Sequence, residues 1–397
     1  MPASSNVCRS AHVALAAAFV VLGAVDGVWV ARLPALQRHL SLDSGRLGIV
    51  IFAVTLMATL ALPFSGWLAA RYGSRGPAGL GLLLALAALA VAAFVPSLAA
   101  LVAVACVLGI GLGMTDLAVN AHGVELEHRL GRTVLSPLHA AWSFGLLGGS
   151  AVTAVAAAAG VGIRVQLPAV AVALSVVVLV AAPQLLAGTK AAVESAHLTL
   201  PRGALALPAL LMFCAFFVES AAMNWSAVFL SGPAGAGAAV AASAVVCYAA
   251  AMGVARLFGD RILAHWGIGG LALRSGSLSC AGMLLAIATR SPVPALVGFA
   301  LVGVGCAAIV PALFRVGGSA PGIARGAGIA AVGTAGYAGG LVNGPAIGFL
   351  ARGVGLSGAL GLVAGASALI ALLGPRLNRP RRPSRHSLRG SASQAMP

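Results

Sequence analysis

Asp26, Asp116 and Glu219 stand in the middle of long apolar stretches of a chain that has only eight acidic residues. A carboxylate at the centre of a bilayer costs roughly 2.5–3.5 kcal/mol on insertion scales, so intramembrane acids face a cavity and commonly carry protons or contact a solute. Asp116 and Asn120 are four residues apart. On a helix that spacing stacks a carboxylate and an amide on one face, a pair able to grip a sugar or polyol hydroxyl, while the acid can take up and release a proton. The alternative is structural: Asp116 paired with an arginine, or capped by neighbouring amides, and fixing only the packing. Glu219, followed by Asn224 and Trp225, reads either as a proton relay or as the partner of a polar group in the first half of the chain. Trp29 and Trp225 read as flat surfaces against a sugar ring or as members of an interfacial aromatic belt. Asn343 is a lone amide among glycines, either a solute contact or an interhelical hydrogen bond.

The elements that must position these groups follow from composition. Hydrophobic residues make up 60% of the 397 and charged residues 8%, and the mean hydropathy is +1.03. A soluble core cannot hide that much apolar surface, so the chain is expected to lie in a membrane. A helix needs roughly 20 apolar residues to span a core about 30 Å thick. Twelve such runs appear, near 11–33, 45–70, 77–95, 98–123, 136–160, 167–187, 204–230, 236–258, 269–289, 294–316, 326–351 and 355–375. They are too long and too uniformly apolar for the alternating strands of a β-barrel.

The net charge of +16 is distributed as a topology signal rather than a nucleic-acid footprint. With the N-terminus in the cytoplasm, Arg9, Arg71, Arg75, Arg129, Arg132, Lys190, Arg202, Arg261, Arg325 and the arginines of the tail fall inside. Arg32, Arg38, Arg46, Arg164, Arg290 and Arg352 fall outside, a bias that obeys the positive-inside rule. No nucleic-acid partner is expected. The run 11–33 is too long for a signal-peptide core and carries Asp26, so it reads as a retained first helix. The six cysteines lack CxxC spacing and read as packing residues. No metal-ligand cluster, nucleophile–base arrangement or ATP-binding loop is present, so neither an enzyme nor a cofactor is expected.

The runs divide into an N-terminal bundle, 1–187, and a C-terminal bundle, 204–375, with a polar linker, 188–203, between them and a basic tail, 376–397, after them. The halves echo each other. The first helix of each carries an acid and then a tryptophan, and the second ends in a basic turn, GWLAARYG at 66–73 and DRILAHWG at 260–267. Internal repeats of this kind mark secondary transporters, whose site lies at the midplane between the repeats. Gly336, Gly340, Gly344 and Gly348 form a smooth ridge, as do Gly145 and Gly149, suited either to sliding or to tight static packing. Ser136-Pro137 reads as the N-cap and first turn of the fifth helix, which places His139 at the membrane surface.

The segment Gly66, Ala70, Arg71, Gly73, Arg75 resembles the loop signature of the major facilitator superfamily, with Ala70 where the family has an acid. The twelve-helix plan fits that family over nearly the whole chain. ARLPALQRHLSLDSGRLG at 31–48, Thr115 to Asn120, and FVESAAMNWSAVFL at 217–230 resemble the fucose permease-like branch and the rhizopine-associated membrane proteins near it. That resemblance implies an all-α fold of two pseudo-symmetric six-helix bundles in a bacterial inner membrane, with both termini cytoplasmic. It implies proton coupling through Asp26 and Asp116 with sugar binding at Asn120, and a gating role for Gly66, Arg71, Gly73 and Arg75. The expected function is proton-coupled transport of a small polar solute, a sugar or polyol, by a monomer. Its partners are that solute, protons and the lipid bilayer. Efflux of amphipathic compounds by proton antiport, and a non-transporting receptor or scaffold, are the rival readings.

Overall fold

The computed structural model describes residues 2–132, 134–186, 202–289 and 291–378. The linker expected at 188–203 and the basic tail both lie largely outside the described residues. The first half comprises α1 (Pro2–His39), α2 (Ser44–Tyr72), α3 (Arg75–Val91), α4 (Leu98–Leu130), α5 (Leu135–Ala158) and α6 (Ile163–Ala181). The second comprises α7 (Ala206–Ser231), α8 (Ala238–Arg256), α9 (Gly259–Thr289), α10 (Pro292–Cys306), α11 (Ile309–Gly318), α12 (Arg325–Ala359) and α13 (Gly361–Leu373). α10 and α11 are two parts of one broken span, so the helices make twelve crossings. Among the described residues, ten helical segments are long and apolar enough to span by themselves. α3 falls short at 17 residues, and α12 is diluted by its glycines and Asn343.

Packing repeats between the halves. In the first, α1 lies on α5 and α6, α4 on α2 and α3, and α3 on α6; in the second, α7 lies on α12 and α13, α10 on α8 and α9, and α9 on α13. Such a bundle gains little from the hydrophobic effect, because lipid is as apolar as leucine, so close backbone approach and dispersion must hold it. The α1–α5 seam is built that way. Gly23 and Gly27 of α1 meet the backbone of Trp142 and Leu146, and Gly145 and Gly149 of α5 meet the backbone of Val20 and Ala24.

Among the described residues, the apolar packing shared by the two halves gathers toward one end. At the face bearing residues 40–43, side chains of both halves share one buried cluster, in which Leu33, Leu36, Leu47 and Val50 are continuous with Trp225, Phe229, Val245 and Ile347. Toward the opposite face, the start of α7 (Leu211, Met212, Cys214), α11 (Ile309, Leu313) and α12 (Ala331, Val332) form a separate cluster made of second-half residues alone. The glycine ridge of α12 is divided in the same way. Gly336 and Gly340 face Phe216 and Ser220 of α7, whereas Gly344 and Gly348 lie against Gly48 and Ser44 of α2, across the seam between halves.

Three local expectations are corrected. The fifth helix starts at Leu135 with Val134 as its N-cap, not at Ser136. Its orphan amides are held instead by Glu127 Oε1, which accepts from Val134 N at 2.7 Å and Leu135 N at 3.0 Å. Residues 260–266 are not a turn but the first turns of α9, bent at Gly267, where φ is 64°. The tenth run is interrupted at Ala307–Ala308, just before Pro311, whose missing N–H cannot continue a helix ladder.

Candidate functional site

Asp26 lies on α1 between Gly23 and Gly27, where the glycines bring α5 close enough for Trp142 Nε1 to donate to Asp26 Oδ2 at 3.3 Å. Asp116 lies on α4. The amide of Asn120 donates both to the Asp116 carbonyl at 2.8 Å and to its Oδ1 at 3.2 Å, so the predicted acid–amide pair forms within one helix face. The two carboxylates are within Coulombic reach of each other, and Asp116 is within similar reach of Tyr337, on α12 of the other half. Among the described residues neither Asp26 nor Asp116 has an ion-pair partner, which removes the arginine-paired alternative for Asp116 there.

Glu219 is different. Arg256, at the end of α8, donates to Glu219 Oε1 at 3.2 Å. The partner belongs to the second half, not to the first as the structural reading of Glu219 expected. Arg256 Nε also reaches the carbonyl of Ala307 at 3.4 Å. Tyr248 lies on α8 within Coulombic reach of Glu219, fully buried and with its hydroxyl unpartnered. His139, at the start of α5, is exposed, packs edge-on to Phe19 and lies within Coulombic reach of Arg256 across the gap between halves.

The remaining expected contacts are dispersed. Trp29 is 3% exposed and Trp225 0%, both inside the shared cluster of the closed end. Enclosure by protein excludes the aromatic-belt alternative for both. Trp225 Nε1 and Asn343 Oδ1 are buried without a partner among the described residues, and the Asn343 amide donates to Gly340 of its own helix. Asn224 likewise donates to Ser220 O at 2.8 Å.

Gly66 and Arg71, expected in the loop, lie instead in the last turns of α2; Gly66 is buried and Arg71 exposed, lying over the rings of Trp67 and Tyr72 at 5.7 and 5.5 Å. Gly73 closes α2 at φ 85°, a value that favours glycine, and Arg75 opens α3. With Ala70 in place of an acid, these rings rather than a carboxylate hold Arg71. His122 of α4, fully buried, links this loop to the end of the first half. Its Nε2 accepts from Leu186 N at 3.2 Å, so its Nδ1 carries the proton and faces Ser74 Oγ at 3.0 Å.

At the closed face, Asp43 accepts from Arg46 N at 2.8 Å as the N-cap of α2. It also takes a two-pronged contact from Arg352 of the second half, at 3.0 and 3.1 Å.

The pattern of the Major Facilitator Superfamily matches residues 14–315. The chain belongs to that superfamily. An uncharacterized MFS-type transporter of Yersinia pestis is 30% identical over 355 residues, 89% of this chain and 92% of that protein. The uncharacterized transporter y4wD of Sinorhizobium fredii is 30% identical over 375 residues, 92% and 97% of the two chains. Membrane protein MosC of Rhizobium meliloti is 28% identical over 363 residues, 90% and 88%. Among solved structures, the xylose transporter XylE from E. coli superposes with a TM-score of 0.72 at 13% identity, covering 96% of this chain and 99% of that one. The nucleoside transporter NupG gives 0.69 at 16%, covering 93% and 99%. This superfamily member is therefore a multi-pass membrane transporter rather than an enzyme, with the two-bundle fold its sequence predicts. The residues that sequence reasoning missed, Trp142, Arg256, Tyr337 and His122, are polar side chains in apolar surroundings. That contrast was the one signal available for them.

Proposed function

We propose that this superfamily member is a proton-coupled transporter that moves a small neutral polar solute, a sugar or polyol, by alternating access. The observation that carries the reading is the pair Asp26 and Asp116, two carboxylates within reach of each other and answered by an indole and an amide rather than by a cation. Each acid can take up and release a proton, and moving that proton together with a solute is the chemistry of symport. Asn120 and, across the gap, Tyr337 supply polar groups beside it. Glu219 serves the same proton path from the second half. The bundles 1–187 and 204–375, joined by 188–203, are the rocking bodies. One-sided closure at residues 40–43 corresponds to one of the two alternating states. Trp29, Asn224, Trp225 and Asn343 meet the solute in the opposite state, when the closed end parts. Gly66, Arg71, Gly73 and Arg75, at the junction of α2 and α3, form the gate at the other face. With the termini and the tail 376–397 in the cytoplasm of a bacterial inner membrane, the present state faces inward, and a monomer suffices.

The test is proton movement into vesicles holding the purified protein, screened with sugars, polyols and amphipathic compounds. Nucleosides and pentoses join the panel because the fold neighbours are named for them. Asp116→Asn is the control. One polar class moving protons in the wild type and not in the variant upholds the reading. Proton movement driven only by amphipathic compounds replaces it with efflux, and no movement with any compound replaces it with a uniporter or scaffold.

A further inference from the structure

The broken tenth span carries a free carbonyl for a reason that can be read from the sequence. In a continuous helix the carbonyl of Ala307 would accept from the N–H of residue 311. Residue 311 is proline and has none, so the bond is missing, α10 ends at Cys306, and α11 begins at Ile309. Arg256 Nε occupies the vacated acceptor at 3.4 Å. The same guanidinium, through its NH2, holds Glu219 at 3.2 Å. One side chain thus links the intramembrane acid of α7, the end of α8 and the break between α10 and α11.

Beyond the break, α11 packs against second-half helices. Its Ile309 and Leu313 belong to the second-half cluster that has no first-half members, and Ala308 and Ala312 pack on Leu271 of α9. The matching span of the first half, α4, runs unbroken for 33 residues through Asp116. The other groups near the bracket are Tyr248 and Cys306, both buried and within Coulombic reach of Glu219, and His139 from the facing bundle.

We infer that Arg256 is a positioning residue that ties the charge of Glu219 to the hinge at Ala307–Ala308. While Glu219 is a carboxylate it holds the guanidinium where Nε braces the orphan carbonyl, and α11 is fixed. When the acid loses its charge, the brace loosens and α11 is released. The consequence for transport rests on the alternating-access reading above, but the bracket itself does not, and its test needs no substrate.

The experiment is hydrogen exchange of the full chain in lipid nanodiscs, monitored in peptides covering residues 303–318. Arg256→Gln is expected to speed exchange there by about tenfold, a local opening rather than a global one, and Glu219→Gln to do the same with Arg256 intact. Pro311→Ala restores the missing N–H. It is expected to slow exchange below that of the wild type and to make a second substitution, Arg256→Gln, silent in this segment. Exchange in α4 is the internal control and should not move. If Glu219→Gln leaves the segment as in the wild type, Arg256 is only a cap and the link to the acid is overturned. If Arg256→Gln acts equally with and without Pro311, the carbonyl brace is overturned. Failure of solute-driven proton movement with these exchange results intact would sink the transport reading and leave the bracket standing.

Discussion

The two halves repeat one packing plan but treat charge in opposite ways. The first holds two carboxylates with neutral partners, Trp142 for Asp26 and Asn120 for Asp116, on continuous helices. The second holds one acid of this intramembrane kind, Glu219, ion-paired to Arg256, beside a span that is broken. An uncompensated acid responds to a proton or a solute, whereas a compensated one holds geometry until its partner is disturbed. On the proposed reading, the uncompensated acids of the first half carry the larger share of proton handling and the paired acid of the second half the larger share of positioning.

Positions along the two glycine seams differ too, and the largest effect is expected there. On α1–α5 the glycines of both helices meet backbone, which cannot move aside, so Gly145→Val should abolish folded protein, read as loss of the monodisperse peak in detergent. On the corresponding α7–α12 seam Gly339 also meets backbone, at Phe213, but a Cβ at Gly336 would meet the side chains of Phe216 and Met212 at 2.9 and 3.0 Å, which can yield. Gly336→Val should therefore cost only about 1–3 kcal/mol and remain purifiable. Equal loss in both would erase the distinction.

Next in size is the contrast between acids. Asp116→Asn should bring solute-driven proton movement to background, while Glu219→Gln should slow it without abolishing it, both measured in the vesicle assay. Parity between the two variants would break the division of labour. A smaller effect is expected from Trp142→Phe, which removes the donor to Asp26 while keeping the ring. It should lower stability by about 0.5–1.5 kcal/mol, read as a shift in the unfolding midpoint, and change the pH profile of transport.

The smallest concerns the contact between halves. The Arg46 amide at the cap, and then Arg352, hold the Asp43 carboxyl below its usual range. A lowered value in the folded state means the stabilisation is complete above the unfolded value of about 3.9. It is lost as pH falls through the folded value. Arg352→Gln should shift the closed face toward opening by under about 1 kcal/mol, because both groups are half exposed. Distance measurements across residues 43 and 352 between about pH 3 and 7 should show opening only at the acid end, and an opening centred near neutrality would remove Asp43 as its cause.

Much of the fold was legible in the sequence because it depends on one helix at a time. The length of an apolar run, an acid within it and an amide four residues on are local, and twelve crossings, Asp26, Asp116 and the Asp116–Asn120 bond follow from them. Contacts between helices were not legible. Helices apolar on every side carry no periodicity to set their rotation, so nothing in the sequence aims Trp142 at Asp26 or Arg256 at Glu219. Pro311 was a visible sign of the break, but the apolar residues on both sides of it read as one continuous span. The divided glycine ridge of α12 was visible as a ridge, while the change of neighbour between Gly340 and Gly344 depends on where α2 crosses it.

α3 has 17 residues, which at a rise of 1.5 Å gives about 25 Å, less than the hydrocarbon thickness of about 30 Å. Leu80 and Val91 of α3, with Val172, Val176 and Val180 of α6, are turned outward on the same flank. A span shorter than the hydrocarbon core is met by local thinning of the lipid, by flanking residues reaching toward the headgroups or by association with another span. Each of these ties the first half to the thickness of the lipid around it, so acyl-chain length is expected to be a variable of the transporter's environment alongside pH.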